Sequence, residues 1–212
     1  MLPDPHTLGI FLVAVSVLMV TPGPDMLFIA ANGIAQGPRA GLVSALGVGV
    51  GCLVHTVLAA IGVSALVLAS PVAFDAIRFA GAGYLAWLGV QAIRNPSMLD
   101  LHVRAARRRS AWTIFRGGVL CNVLNPKVAI FFIAFLPQFV DPDAGALAVQ
   151  LVTLGVLCTI VGTAFNMLVG LSGGGIGRYL AARPGVARIQ GWISGLIFLA
   201  LAVRLAVVGR TS

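Results

Sequence analysis

Two short stretches decide how this chain folds: Thr21-Pro22-Gly23-Pro24-Asp25 and Asn122-Val123-Leu124-Asn125-Pro126-Lys127. Each interrupts a long apolar run, where a proline removes a backbone hydrogen-bond donor and clashes with the carbonyl group one turn earlier. We therefore expect two broken helices. In hydrocarbon a break is tolerated only where the freed backbone groups meet protein, water or substrate, so the breaks indicate a cavity. A kink that only shapes helix packing is the alternative. The residues expected to break the helices are Pro22, Gly23, Pro24 and Pro126.

The composition is typical of a protein embedded in a lipid bilayer. Of the 212 residues, 59% are apolar and 9% are charged, whereas soluble domains carry about 25% charged residues. The mean hydropathy is +1.02. The length suits six helices of about 20 residues with short connections. We therefore predict a single integral membrane transporter domain over residues 1–212, and the composition argues against a cytosolic enzyme or a nucleic-acid-binding protein.

The three cysteines do not form a recognisable motif. Cys52, Cys121 and Cys158 are isolated within apolar segments, with no Cys-x-x-Cys pattern and no neighbouring histidine. We therefore predict no disulfide framework, no metal site and no cofactor.

Apolar runs bounded by charged residues or by Gly/Pro clusters predict six transmembrane helices. They lie near residues 8–31, 41–69, 72–93, 114–140, 146–171 and 190–208. No Lys or Arg precedes Arg39, so the first run lacks the basic region of a cleaved signal peptide and is expected to be retained as a helix.

Positive charge is concentrated in alternate connections between these helices. Arg39 lies in the first connection, the third is the Arg-rich loop over residues 94–113, and the fifth contains Arg178, Arg183 and Arg188. By the positive-inside rule these connections face the cytoplasm and both termini lie outside. The Arg-rich loop is expected to set this topology, with binding of anionic membrane lipid as the alternative.

The helix count divides the chain into two halves. Repeat one covers about 1–93, the basic cytoplasmic loop about 94–113, and repeat two about 114–212. Because each half has three helices, the second half is inserted upside down relative to the first. The predicted fold is therefore an all-α membrane protein with six transmembrane helices as two inverted three-helix repeats, the first helix of each broken by proline, as is common among secondary transporters.

Each break carries one charged residue within its apolar run. Asp25 follows the first break, and Lys127, the only lysine in the chain, follows the second. An intramembrane charge costs about 2.5–3.5 kcal/mol unless it is paired or solvated, so both are candidates for function. Either the two form a plain ion pair, or Asp25 binds an ammonium group or the coupling proton while Lys127 binds a carboxylate. Thr21, Asn122 and Asn125 are the neighbouring polar candidates.

Other polar residues lie within the predicted helices. His55 is midway along the second helix, where it either takes part in a proton path or hydrogen-bonds to a neighbouring helix. Asp75 and Arg78 are spaced for an i,i+3 ion pair. Asn166 and Gln91 are expected to form interhelical hydrogen bonds rather than to bind substrate.

Several glycines recur at four-residue spacing, a pattern that allows close helix packing within a bundle or between protomers. They are Gly33, Gly37 and Gly41, then Gly47 and Gly51, then Gly191 and Gly195.

An intramembrane hydrolase is an alternative of a different class. Gly170-Leu171-Ser172-Gly173 matches the Gly-x-Ser-Gly of rhomboid-type proteases. All three histidines, His6, His55 and His102, precede Ser172, whereas in those proteases the base lies on a later helix. We therefore predict no catalytic residue and a protein that is not an enzyme.

Several segments follow one another in an order and spacing found in one known family. They are Thr21-Pro22-Gly23-Pro24-Asp25-Met26-Leu27, Gly37-Pro38-Arg39-Ala40-Gly41-Leu42, Gly47-Val48-Gly49-Val50-Gly51-Cys52-Leu53-Val54-His55, Gly81-Ala82-Gly83-Tyr84-Leu85-Ala86-Trp87-Leu88-Gly89, Asn122-Val123-Leu124-Asn125-Pro126-Lys127-Val128-Ala129-Ile130-Phe131-Phe132, and Phe135-Leu136-Pro137-Gln138-Phe139-Val140. Over about residues 7–208 the chain thereby resembles the LysE/RhtB family of bacterial amino-acid exporters. The clearest departure is the length and polarity of the loop over 94–113.

This resemblance implies efflux of amino acids or close derivatives across the cytoplasmic (inner) membrane of a bacterium, driven by the proton motive force. It also implies a six-helix protein that can form a homodimer. Similar proteins are associated with lysine, arginine, threonine, homoserine, leucine or cysteine derivatives, so the substrate stays open. The expected partners are an amino acid, protons and membrane lipid, and not nucleic acid. We expect the repeats to rock about a central site lined by both breaks; an exporter of another small metabolite or a cation is the alternative.

Overall fold

All the regular structure in the described part of the chain is helical. The computed structural model describes residues 3–69, 71–94, 109–141, 144–172 and 184–207. These ranges contain eight α-helices: α1 (Pro5–Val20), α2 (Pro24–Gln36), α3 (Pro38–Ala69), α4 (Pro71–Arg94), α5 (Ala111–Val123), α6 (Pro126–Ile130), α7 (Leu147–Leu171) and α8 (Pro184–Val207). After α6 the chain continues as a π-helix (Phe131–Phe135) and a 3-10 helix (Leu136–Phe139).

Six of these eight helices begin at a proline. Proline suits the first helical position because its fixed φ is already helical and its missing N–H has no partner there in any case. At α1 the preceding residue, Asp4, caps the helix, since its Oδ1 accepts from the backbone N–H of His6 at 3.0 Å and of Thr7 at 3.1 Å. Helices therefore begin earlier than the apolar runs predicted, at residue 38 rather than 41 and at 184 rather than 190.

Both predicted helix breaks are confirmed. α1 and α2 meet at 51°, and α5 meets the helical segment Pro126–Phe139 at 49°. The predicted helices 8–31 and 114–140 are therefore each divided into two at their prolines.

The chain is a multi-pass membrane protein. Within the described ranges, three helical segments are long and apolar enough to span a bilayer, and each bent pair can form one more span, giving up to five. The three are Pro38–Gly62, Leu147–Leu171 and Arg188–Val207. α4 has 24 residues but is less apolar, because Asp75, Arg78 and Gln91 lie within it.

α3 packs most extensively against α7 and α5, and α4 packs against α8. At the α3–α5 contact, a Cβ added to Gly51 would lie 2.7 Å from the Asn122 Cβ, and one added to Gly47 would overlap the carbonyl oxygen of Phe115. The helices approach this closely only because these positions lack side chains.

The α3–α7 contact is equally close at its own glycine pair. A Cβ added to Gly41 would lie 2.5 Å from the carbonyl oxygen of Gly170. The predicted packing role is thus confirmed for Gly41, as for the glycines facing α5. Gly37 has a different role: its φ of +89° ends α2 in a backbone conformation that side chains disfavour.

Buried aromatic rings pack around the irregular segment after α6. Phe135 contacts Phe131 at 5.1 Å and Phe139 at 5.0 Å between ring centroids, and Phe139 also contacts Phe11 of α1 at 5.2 Å. The segment that follows the second break is therefore packed against the helix that precedes the first.

Parts of the predicted connections lie outside the described ranges. These are residues 95–108 of the basic loop and residues 173–183 of the fifth connection, with Arg178 and Arg183. The orientation of the termini stays a prediction.

Candidate functional site

The first break leaves carbonyl groups at the end of α1 that side chains from distant helices satisfy. The Lys127 ammonium donates to the carbonyl oxygens of Leu18 at 3.1 Å and Thr21 at 2.9 Å. The Gln190 amide of α8 donates to the carbonyl oxygen of Val20 at 2.8 Å. The last carbonyls of a helix have no partner within the helix, and a cation is favourable at that end. Lys127 therefore stabilises the broken end of α1.

The second break has a corresponding cap at the end of α5. The carbonyl oxygen of Asn122 accepts from His55 Nε2 at 3.1 Å and from the backbone N–H of Asn125 at 2.9 Å. Because a carbonyl only accepts, Nε2 of His55 carries a proton. Asn125 in turn caps α6, since its Oδ1 accepts from the backbone N–H of Lys127 at 3.0 Å.

Asp25 joins the two breaks. Its Oδ2 accepts from Asn122 Nδ2 at 2.8 Å and from Asn125 Nδ2 at 3.0 Å. The carboxylate also lies in the first turn of α2, where the helix dipole favours negative charge. Its Oδ1 is buried and accepts no hydrogen bond from the described residues. At the first break, therefore, one oxygen of the Asp25 carboxylate accepts hydrogen bonds and the other has no donor among the described residues.

Asp25 and Lys127 lie beside the same small cavity without pairing with each other. Among the described residues, no Asp25 oxygen lies within 4.0 Å of the Lys127 ammonium. The cavity has a volume of about 20 Å³, room for roughly one water molecule. Its lining residues are Leu18, Met19, Thr21, Asp25, Met26, Lys127, Val128 and Asn166. Two opposite charges are thus held apart by neutral partners around a small cavity.

The close approach of Lys127 explains the glycine between the two prolines. A Cβ added to Gly23 would lie 2.9 Å from the Lys127 ammonium nitrogen and 3.3 Å from Cε. The φ of Gly23 is −166°, extended backbone that any residue adopts. Gly23 therefore provides space for the ammonium group rather than a special backbone conformation.

Five of the six sequence-predicted binding residues lie at the two breaks, and the sixth, His55, lies on α3. Asp25, Lys127 and Thr21 line the cavity, and Asn122 and Asn125 bind the Asp25 carboxylate. His55 does not hydrogen-bond to the Asp25 carboxylate directly; it contacts the backbone of α5. It also stacks on a phenylalanine of the π-helix, with 5.8 Å between ring centroids. Thr21 contributes its carbonyl group, since its hydroxyl donates back to Val17 at 2.7 Å.

Two residues of this region were not predicted to belong to it. Asn166 of α7 is buried and lines the cavity, and Gln190 caps α1. The same sequence feature could have identified both residues, because each has an amide side chain inside or beside an otherwise apolar run, where polar side chains are candidates for function.

Two observations concern the metal and hydrolase alternatives. The described residues contain no group of three or more His, Cys, Asp or Glu placed to hold a metal ion. The Ser172 hydroxyl donates to the carbonyl oxygen of Val169 at 2.7 Å, at the end of α7. Ser172 therefore helps to cap a helix.

Comparison with known proteins gives one consistent result. The family model described as "LysE type translocator" matches residues 16–209. The leucine efflux protein of Enterobacter sp. (strain 638) is 30% identical over 196 residues, 92% of this chain and 93% of that protein. The leucine efflux proteins of Klebsiella pneumoniae and Salmonella typhimurium are also 30% identical, over 198 and 200 residues, with 93% of each chain covered. No solved structure matches the chain.

Proposed function

The chain belongs to the LysE type translocator family, and from this premise we propose that it exports leucine, or amino acids of similar size, across the cytoplasmic membrane of a bacterium. It is a transporter and not an enzyme. The substrate is inferred from relatives named leucine efflux protein, each covered over almost its whole length.

The arrangement of Asp25 and Lys127 is the observation that carries this proposal. The two opposite charges line one cavity at two helix breaks but do not neutralise each other. An amino acid carries the complementary charges. Its ammonium group would bind the free Oδ1 of Asp25, and its carboxylate would take the third N–H of Lys127, two of whose donors are used by α1.

Transport requires this cavity to open. A volume of about 20 Å³ cannot hold an amino acid, so the described conformation corresponds to a closed site. We propose that six spans form two inverted three-helix repeats, which open the site alternately to each side by rocking. Helix packing supports this. α3 and α7, the second spans of the two halves, pack against each other, and so do α4 and α8, the third spans.

Export against a gradient also requires an energy source, and we propose the proton motive force. Asp25 is the candidate proton carrier. Its Oδ1 accepts no hydrogen bond from the described residues, so this oxygen is available to bind a proton, and the protonated carboxyl group then needs no cationic partner. The proposed orientation places both termini outside, so that the end of α2 and the start of α5 face the cytoplasm.

The zwitterion site can be tested with analogues that lack one charge. In counterflow with reconstituted protein, which needs no proton gradient, leucine should exchange rapidly. Leucinamide lacks the carboxylate and N-acetylleucine lacks the ammonium group, so neither should exchange above the rate of protein-free vesicles. Exchange of either analogue at the leucine rate would show that one of the two charged contacts is not made. Exchange of cations or other metabolites without any amino acid would favour the alternative cargo.

A further inference from the structure

A second and larger pocket lies at the end of α2 that is remote from Asp25. It has a volume of about 460 Å³ and lies between α2, α3 and the start of α5. This is within the range of pockets that hold small organic ligands. Its lining residues are Ala35, Gln36, Arg39, Ala40, Val43, Arg109, Ala111 and Ile114.

The polar side-chain groups of this pocket that have no partner among the described residues are hydrogen-bond donors. Arg39 and Arg109 contribute two guanidinium groups, and none of the lining residues in the described ranges is acidic. The Gln36 Oε1 accepts from the backbone N–H of Arg109 at 2.8 Å, which fixes the amide orientation. The Gln36 Nε2 is then left buried with no acceptor among the described residues. Two cations and one unsatisfied hydrogen-bond donor favour the binding of an anion.

The remaining walls are apolar. Alanine, valine and isoleucine side chains complete the lining. A ligand that fits both features carries a carboxylate on a hydrocarbon side chain, which describes leucine and similar amino acids. The described lining residues offer no carboxylate to the ammonium group, so that group would stay hydrated at the open side.

The two half-helices at this side of the breaks connect the pocket to the central cavity. α2 carries Gln36 at its last residue and Asp25 in its first turn, a separation of about 16 Å along the helix. α5 begins at Ala111, in the pocket, and contains Asn122, which binds Asp25. α2 also packs against α3 and α5. The pocket and the Asp25 site thus lie at opposite ends of the same two helices.

We propose that the pocket formed around Arg39 and Arg109 is a capture site that binds the substrate carboxylate before the amino acid reaches Asp25 and Lys127. This rests on the proposed function and on the orientation that places the pocket at the cytoplasmic surface. A cleft lined by one sign of charge raises the local concentration of a ligand of the opposite sign. Phospholipid head groups are the other source of an anion, and the test must distinguish them.

Binding of N-acetylleucine, a carboxylate without an ammonium group, tests the pocket independently of transport. Purified wild-type protein should bind it, and Arg39→Gln with Arg109→Gln should lose this binding. Arg116→Gln is the matched control, because Arg116 is exposed on the same α5 and does not line the pocket. Equal binding by the double variant and the control would overturn the capture site, even if leucine transport is normal.

Leucine flux then tests the role of the pocket. In inside-out vesicles the double variant should raise the KM for leucine about tenfold or more, since each lost charge-assisted bond weakens binding by at least that order, with Vmax retained. Arg116→Gln should keep the wild-type KM. A KM effect present in vesicles with phosphatidylglycerol and absent in pure phosphatidylcholine would assign the pocket to lipid and overturn the proposal. Absence of leucine flux in the wild type, with N-acetylleucine binding intact, would instead refute the proposed function.

Discussion

The Lys127 ammonium donates to the carbonyl oxygen of Thr21 at 2.9 Å, so the cation that follows the second helix break caps the helix that precedes the first. The carboxylate of Asp25 makes the opposite connection: Asp25 follows the first break and accepts hydrogen bonds from Asn122 and Asn125 at the second. Each break is thus completed by a charged residue of the other. Any movement of one broken helix must change the hydrogen bonds of its counterpart.

Lys127→Met should abolish transport and also destabilise the protein. Two carbonyl groups at the end of α1 would lose their donor, at about 1–3 kcal/mol for each that stays buried and unsatisfied. Gln190→Leu is the control, since it removes a cap from the same helix end without removing a charge. It should lower the melting temperature in detergent but retain leucine flux. Loss of transport in both variants to the same degree would mean that Lys127 acts only as a cap.

Gly23→Ala should impair transport more than folding. The new methyl group would displace the Lys127 ammonium, 2.9 Å away, while the extended backbone accepts alanine. We expect a stability loss of about 1–2 kcal/mol, from weakened charge-assisted hydrogen bonds, and a strong fall in leucine exchange. Gly9→Ala in α1, where no atom lies within 4 Å of the added Cβ, should leave exchange unchanged and should not lower the stability. Wild-type exchange by Gly23→Ala would show that the ammonium position is unimportant.

His55→Gln separates a proton path from a structural role. Gln can donate to the carbonyl oxygen of Asn122 as His55 does, so folding and binding should persist. If His55 carries a transported proton, the pH dependence of leucine flux should shift, because glutamine does not titrate. Flux measured between pH 5 and 8 decides this. An unchanged profile would leave His55 as the cap of α5.

Gly47→Ala should destabilise the protein by about 1–3 kcal/mol, the usual cost of overpacking, because the added methyl group meets the backbone of Phe115. Gly83→Ala, in α4, has nothing within 4 Å of the added Cβ. It should be neutral or stabilising by roughly 0.5–1 kcal/mol, from helix propensity. Thermal unfolding in detergent provides the comparison, and equal effects of the two variants would show that α3 and α5 are not closely packed.

Local sequence rules predicted the features that depend on neighbouring residues. The prolines determined both breaks, and the i,i+3 spacing of Asp75 and Arg78 determined their ion pair at 3.4 Å. The π-helix after α6 was not predicted, because its run of phenylalanine, isoleucine and alanine also suits an ordinary helix.

Features that depend on how the helices pack against one another could not be predicted from the sequence. Gln190 caps a carbonyl group 170 residues away, and Asn166 lines the cavity only because α7 packs beside the first break. The sequence predicted that Asp25 and Lys127 each follow a helix break, but whether they pair directly depends on the positions of Leu18 and Thr21, whose carbonyl groups bind the ammonium.

The central claim, proton-driven amino-acid export through the Asp25 site, is tested most directly by uptake of labelled leucine into inside-out vesicles. Wild-type protein should accumulate leucine when a proton gradient is imposed and lose this accumulation when the gradient is collapsed. Asp25→Asn should insert normally, because its amide oxygen can still accept from Asn122 and Asn125, yet transport at least about a hundredfold less, as expected for the loss of a buried charged contact. Asp75→Asn, which removes a half-exposed carboxylate outside the Asp25 site, should behave as wild type. Gradient-independent uptake, or accumulation by Asp25→Asn at the wild-type rate, would contradict the account.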